Sequence, residues 1–535
     1  MAGIMAKVRP FVGELLVRLL DRFFEFLLFV ANLGRRRHRI PPTSDPLLLA
    51  PAVVLANAIR HGRVSSEAVV RAYWRRVRDV EPLVNAVVDE RFDAALKEAR
   101  AADELVQRSS PQELERTKPL LGVPFITKCS VMVQGLVTDA GLPAWRGERA
   151  DRDADTVRMV REAGAIPVVT TNTPELCLWT ESFNQLHGRT NNPYDTRRTA
   201  GGSSGGLASL LSAGGAILGI GTDIGSSIRL PSAYCGVFGH MATPGTLPSR
   251  GHRGVYNQEF IMKMHSAGPM TRYASDLVTM LKVMLTSEAR PRMQLEKPVD
   301  LSKLRIFYAD DEGCEFFSRI HPDIRNAVRK VCSYLGSEFG SPVERIRLEE
   351  ASASNKMWGA VFTATKCEPV TRFFTDDDGR PINPWLELIK ILCGMSMHTF
   401  PAVLVTLLER NSVFKPNPDS THYYLAMAQD FKERLLATLR DDAVLICPAA
   451  LGPAPFHNEH VLRPGRSSLT SLANIGGCPS TAIPIGLTFD GRPLGVQVIA
   501  APYMDRLCLA VAAELEKGFG GWQAPFDGVG TSTVL

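Results

Sequence analysis

The chain has 535 residues, 45% hydrophobic and 22% charged, enough to bury the core of one large or two modest domains. Its formal net charge of +5 is too small for a nucleic-acid binder, and much of the excess sits in Arg35-Arg36-Arg37-His38-Arg39. Ten cysteines without a CxxC pair or regular spacing argue for reduced thiols and against a disulfide framework.

In chain order, the first element is an apolar stretch over residues 11–33. It is long enough to span a bilayer, yet carries Glu14, Arg18, Asp21, Arg22 and Glu25. On a helix these fall within an arc of roughly 100°, leaving a wide apolar face. A central charge costs about 2.5–3.5 kcal/mol against roughly −0.5 for each apolar residue, so insertion of one isolated helix is about balanced. No small-x-small cleavage site precedes the arginines, and the chain has no Asn-x-Ser/Thr acceptor. The expectation is a membrane-associating helix with a basic flank over residues 1–40, the alternative being a helix packed on the domain.

Residues 41–535 read as one α/β domain with a central mixed, twisted sheet covered by helices. Residues 122–128 predict a strand closed by Lys128. Residues 154–163 predict a helix ending at Gly164, followed by a strand over 166–170. A helix over 206–213 and a buried strand over 216–220 come next. Residues 290–430 form a less regular, inserted middle, whose apolar stretch 385–408 reads as core helices. Short apolar strands return at 480–484 and 494–498, so the economical reading is one sheet built from both ends of the chain.

The chemistry concentrates in two serine-bearing, glycine-rich runs, 200–206 and 221–229, which flank the apolar segment 207–220. Glycine lets a substrate approach peptide N–H groups closely, and acyl transfer needs an exposed nucleophile beside such donors. No lysine closes either run, which excludes a P-loop, and the spacing 219–225 is one residue too long for a dinucleotide fingerprint. Gly202-Ser203-Ser204-Gly205-Gly206 matches a nucleophile elbow, but a loop and not a strand precedes it. None of the eleven histidines lies within these runs. Lys128 is the more suggestive base, since a lysine closing an apolar strand is expected to be partly desolvated, with a lowered pKa. His457 and His460, in His-Asn-Glu-His, are too close-set for a convincing metal site.

Lys128, the Gly201-Gly202-Ser203-Ser204-Gly205-Gly206 run and Gly221-Thr222-Asp223-Ile224-Gly225-Ser226-Ser227-Ile228-Arg229-Leu230-Pro231 resemble the amidase signature family in order and spacing. The resemblance extends over about residues 45–521 and includes Gly122-Val123-Pro124, Asn191-Asn192-Pro193-Tyr194 and Gly491-Arg492-Pro493-Leu494-Gly495-Val496-Gln497. Within the family it is nearest to the second type of fatty-acid amide hydrolase, through the hydrophobic N-terminus and Trp385-Leu386-Glu387-Leu388-Ile389-Lys390.

The resemblance implies a catalytic triad of Ser227 as nucleophile, Ser203 as a bridging serine on a cis peptide, and Lys128 as neutral base. It implies an oxyanion hole from the peptide N–H groups of Ile224, Gly225, Ser226 and Ser227, and no cofactor or metal. The expected activity is hydrolysis of lipid amides (fatty acid primary amides and N-acyl ethanolamines) by an intracellular, membrane-associated enzyme. A membrane and a lipid amide are then its partners, nucleic acid is not, and a homodimer stays open. Segments like 385–408 form a membrane-facing cap in such relatives, a role that competes with the core reading. An amidase of soluble amides, a glutamine amidotransferase subunit, and a catalytically weakened scaffold are the alternatives. The last follows from departures from the family pattern: Cys129, Leu207, Ser226 and Met241 stand where an acidic residue, glutamate, glycine and lysine are usual.

Overall fold

The computed structural model describes residues 23–526 apart from 25, 29, 255–256, 311–318, 377, 411–417 and 464–467. Eleven strands form one mixed sheet: β1 (Val87–Glu90), β2 (Pro124–Lys128), β3 (Ile166–Thr171), β4 (Leu218–Asp223), β5 (Phe238–Met241), β6 (Ser266–Thr271), β7 (Arg305–Tyr308), β8 (Val343–Arg345), β9 (Ala443–Pro448), β10 (Ser480–Leu487) and β11 (Pro493–Ala500). Their spatial order is β1-β3-β2-β4-β6-β5-β10-β11-β9-β7-β8. β2 runs parallel to both β3 and β4, whereas β4, β6, β5 and β10 pair antiparallel in turn.

Every residue of β2, β3, β4 and β6 is buried, because helices cover both faces of the sheet. Strands in that setting read as continuous apolar runs, which is why β2, β3 and β4 were legible by composition, whereas β6, with Ser266, Gly268 and Pro269, was not. Alternation still sorts the side chains. Phe125 enters a core with Leu277, Val328 and Leu507. Its neighbour Ile126 enters a second core with Val77, Leu96, Leu207 and Leu211 on the other face. Ile306 and Phe307 divide in the same way, Phe307 joining a third core with Met357, Phe431 and Leu472.

The helix Gly205–Ser212 and the strand β4 fall where the sequence places them, and the helix Asp155–Glu162 precedes β3 as expected. Two expectations need correction. The sheet is not built from the chain's two ends alone: β7 and β8 come from the middle segment and complete one edge. Residues 385–408 are also not core throughout. The helix Pro384–Leu392 exposes Trp385 (61%), Ile389 and Leu392 (88%), and Met395 follows it outward, while Val403 of the helix Phe400–Arg410 is buried. High mean apolarity is shared by a core helix and by a helix with a naked apolar face, so composition could not separate them.

The apolar stretch 11–33 lies mostly outside the described residues. Residues 23–24, 26–28 and 30–32 are helical, with Phe23, Phe26, Leu27, Val30 and Leu33 exposed. No helix among the described residues is long and apolar enough to cross a membrane.

The glycine run owes its composition to contact with a neighbouring segment. Gly201 takes φ +85°, and a Cβ on Gly202 would lie 2.5 Å from Trp179 O and 2.8 Å from Glu181 N. Both obstacles are backbone, which yields little. Gly202→Ala should therefore destabilise the protein by about 1–3 kcal/mol, read as a lowered urea midpoint with an unchanged slope.

Candidate active site

Three chain segments converge at the C-terminal ends of β2 and β4, where parallel neighbours in an α/β sheet usually carry chemistry. Lys128 is the last residue of β2 and is 1% exposed. Its Nζ lies 2.6 Å from Ser203 Oγ and 3.0 Å from Thr222 Oγ1. Ser203 follows a cis peptide, Gly202–Ser203, as the resemblance implies. Ser204 N–H donates to Ser227 O at 3.1 Å, so the two serine runs are stitched together by their backbones. Ser227 lies just beyond β4 and is 8% exposed, whereas Ser203 and Ser204 are 1% and 0% exposed. The elbow reading fails here. Ser204 is sealed against β4, where a Cβ on Gly221 would come within 3.3 Å of its Oγ.

The loop 224–228 is wound around one carboxylate. Asp223 closes β4; its Oδ1 accepts Gly225 N–H at 3.0 Å and its Oδ2 accepts Ile228 N–H at 2.9 Å. Arg229 donates to the same carboxylate from Nε (3.2 Å) and Nη2 (3.1 Å), and both side chains are fully buried. Burial alone would raise the Asp223 pKa. The Arg229 charge and the hydrogen bonds outweigh it and hold the carboxyl below its ordinary range. Arg229 then reaches Thr470 O, Gln497 Oε1 and Asn474 Oδ1 at 2.6–2.9 Å. Of the four expected oxyanion donors, Gly225 N–H is thus already turned to Asp223. The N–H groups of Ser226 and Ser227 meet no acceptor among the described residues.

Sequence reasoning missed several residues. Trp358, half-buried on the helix Ser354–Ala364, donates its indole N–H to Ile224 O at 2.6 Å. It stacks on Phe362 (5.3 Å, 12°), which meets Phe260 edge-on. With Ile224 and Met264 these rings form an apolar wall beside the loop. The rings of His252 and His265 lie 5.7 Å apart, tilted by 52°, near Lys128. Val131 bridges His252, and Val131 N–H donates to Lys128 O, so the pair is tied to the turn that carries the lysine. Local spacing gave no sign of these partners, since Trp358 lies 134 residues along the chain from Ile224 and His252 is brought to the Lys128 turn from a distant segment.

The departures from the family pattern have structural roles. Cys129 is fully buried, its Sγ 3.3 Å from Thr173 Oγ1, and burial pushes its thiol pKa upward. Leu207 is core. Met241 Sδ accepts from Asn474 Nδ2, which also holds Asp223. His457 pairs with Glu181 and His460 with Tyr234, so they face different partners. No group of three metal-ligating side chains occurs among the described residues.

The amidase family profile matches residues 68–509. The chain belongs to the amidase signature family. It is 37% identical to fatty-acid amide hydrolase 2-A of Danio rerio, over 97% of this chain and 98% of that one. It is 38% identical to fatty-acid amide hydrolase 2 of Homo sapiens, over 90% and 92%. A solved fatty acid amide hydrolase superposes with a TM-score of 0.72 at 20% identity, covering 91% of this chain and 88% of that one, a likeness of fold. This amidase is accordingly a hydrolase acting on amides.

Two outcomes follow from the site's electrostatics. Arg229→Met leaves a buried carboxylate without its counter-ion and should cost about 3–5 kcal/mol, measured by urea unfolding. Burial, with the Lys128 charge, lowers the His252 pKa from 6.5 to about 4. Burial first, then His252 and Lys128, takes His265 to about 3. Both are neutral in the folded protein, so the unfolded chain binds protons that the native one refuses. Stability should therefore fall as pH drops from 6.5 toward about 4. His252→Gln should flatten that slope in urea midpoints taken at several pH values.

Proposed function

We propose that this amidase is a membrane-associated serine hydrolase of lipid amides, with Ser227 as nucleophile, Ser203 as relay and Lys128 as base. The observation that carries the reading is the 2.6 Å contact between Lys128 Nζ and Ser203 Oγ, buried beside the loop that presents Ser227. A neutral lysine has two N–H donors and one lone pair. One N–H is accounted for by Thr222, and the lone pair is then free to accept from Ser203.

In this mechanism Ser227 Oγ attacks the amide carbonyl carbon. Its proton passes to Ser203, whose own proton passes to Lys128 Nζ. The oxyanion forms against the peptide N–H groups of Ser226 and Ser227, with Ile224 at the loop's entry. The proton then returns through Ser203 to the amide nitrogen. The C–N bond breaks, the amine leaves and the acyl group stays on Ser227. Water, deprotonated by the same relay, releases the carboxylic acid and restores the serine.

A lipid rather than a small soluble amide is supported by the apolar wall of Ile224, Phe260, Trp358 and Phe362 beside the loop. Membrane association is supported by the apolar face of residues 385–395 and by the exposed apolar side chains of residues 23–33. Exposed apolar side chains clustered on neighbouring turns are the kind of surface that membrane contact covers. An intracellular membrane surface is the location this reading implies.

Purified protein should hydrolyse fatty primary amides or N-acyl ethanolamines in a panel that also contains short soluble amides. Ser227→Ala should abolish hydrolysis and labelling by a fluorophosphonate probe while the fold persists. Lys128→Ala should depress the rate strongly, and the residual rate should climb with pH as hydroxide replaces the lost acceptor. Labelling retained in Ser227→Ala, or a rate indifferent to Lys128, would overturn the triad.

A further inference from the structure

The basic run 35–39 plays no part in the chemistry above, and it is not a loose tail. Arg37 Nε donates to Tyr194 O and His38 N–H to Thr196 Oγ1, both at 3.0 Å, so the run is laid along the loop 194–197. Between run and loop lies a cavity of about 550 Å³ lined by Arg35, Arg36, His38, Arg189, Arg197 and His457. Four arginines and two histidines thus face one hollow.

Two carboxylates offset part of this charge. Asp195 is held by Arg197 and Arg198, and Glu181, itself 3% exposed, is held by His457 and Arg189. Arg189 is braced further, donating to Asn458 Oδ1 at 2.9 Å and lying over the Phe183 ring. Arg35 and Arg36 pair with no carboxylate among the described residues, and both are exposed at the cavity mouth. The wall's cations are therefore each paired with a carboxylate, whereas the two mouth arginines are not. They follow directly on the helical segment whose Phe23, Phe26, Leu27, Val30 and Leu33 are exposed.

We propose that this cavity binds the phosphate of an anionic phospholipid headgroup, with Arg35 and Arg36 supplying the charge and the 189–197 wall the seat. An apolar helix brings the mouth to the depth of the headgroups, where anionic lipids attract arginine and a planar guanidinium matches phosphate oxygens. A run that acted only as diffuse positive charge would use all of its arginines alike. A cavity distinguishes those that line it from Arg37 and Arg39, which do not. The inference is independent of the amide chemistry, since no residue of the triad or its loop takes part.

The test compares partition of the full-length protein between phosphatidylcholine vesicles and vesicles of about four parts phosphatidylcholine to one part phosphatidylserine. The ratio cancels the contribution of apolar contacts. The wild type should favour the anionic vesicles, and Arg36→Gln should reduce that preference about five-fold, the effect of one arginine at a membrane surface. Arg39→Gln, with the same loss of charge from the same run, should reduce it roughly two-fold at most. Circular dichroism and urea midpoints establish that each variant is folded. Titration with inorganic phosphate forms the second arm. Phosphate binding that Arg36→Gln weakens, without any vesicle preference, keeps the site and makes a soluble phosphate its ligand. Equal losses in the two variants, or no anionic preference together with no phosphate binding, would overturn the proposal.

Discussion

The buried pair Asp223–Arg229 is the constraint on which the rest of the site depends. A carboxylate with no exposed surface would take up a proton unless it were paired and hydrogen-bonded, and here the pairing shapes the chain. Asp223 gathers two peptide N–H groups from the next five residues, which bends the loop back on the strand end and sets Ser226 and Ser227 at its outer edge. Arg229 in turn binds Thr470, Asn474 and Gln497, so the same charge that folds the loop fixes it to the far half of the sheet. A loop held this way has little freedom to reorganise when charge develops on a bound carbonyl, the property electrostatic catalysis needs.

The second serine run is positioned by a different device. The segment 175–181 passes close under Gly202, and buried glutamates sit near its two ends. Glu175 meets His398 at 2.9 Å and accepts Thr399 N–H, while Glu181 holds His457 and Asn458 N–H. His398 lies between the two helices of the exposed apolar region, so that region and the serine run share a support. Burial opposes the charge on His398, but the hydrogen bond and charge of Glu175 outweigh it and raise its pKa above the ordinary value.

Much of the site was legible because its determinants are local. Lys128 ends a strand that its apolar neighbours announce, Ser203 precedes an apolar helix that Gly214-Gly215 ends, and Ser227 follows a buried strand. What stayed hidden is whatever the fold brings from far along the chain. Asp223 and Arg229 stood in the motif, but their partners Asn474 and Gln497 lie some 250 residues away. The last two strands at one side of the sheet, β7 and β8, are four and three residues long, too short for alternation to register against a polar, proline-bearing background. The apolar residues 385–395 were misassigned for a related reason: periodicity reveals an apolar face, and only tertiary structure reveals whether anything covers it.

Trp358 carries a consequence for how this architecture can vary. Its indole N–H closes on Ile224 O, so a residue of the middle segment completes the loop that carries Ser227. The same ring stands within 3.3 Å of where a side chain on Gly225 would begin. The region that lines the apolar wall is therefore also part of the scaffold that shapes the loop. A chimera that replaces residues 354–364 with those of another amidase exchanges more than a binding surface. It also changes a hydrogen bond to the reaction loop and the volume allowed at Gly225, so selectivity and turnover are inherited together.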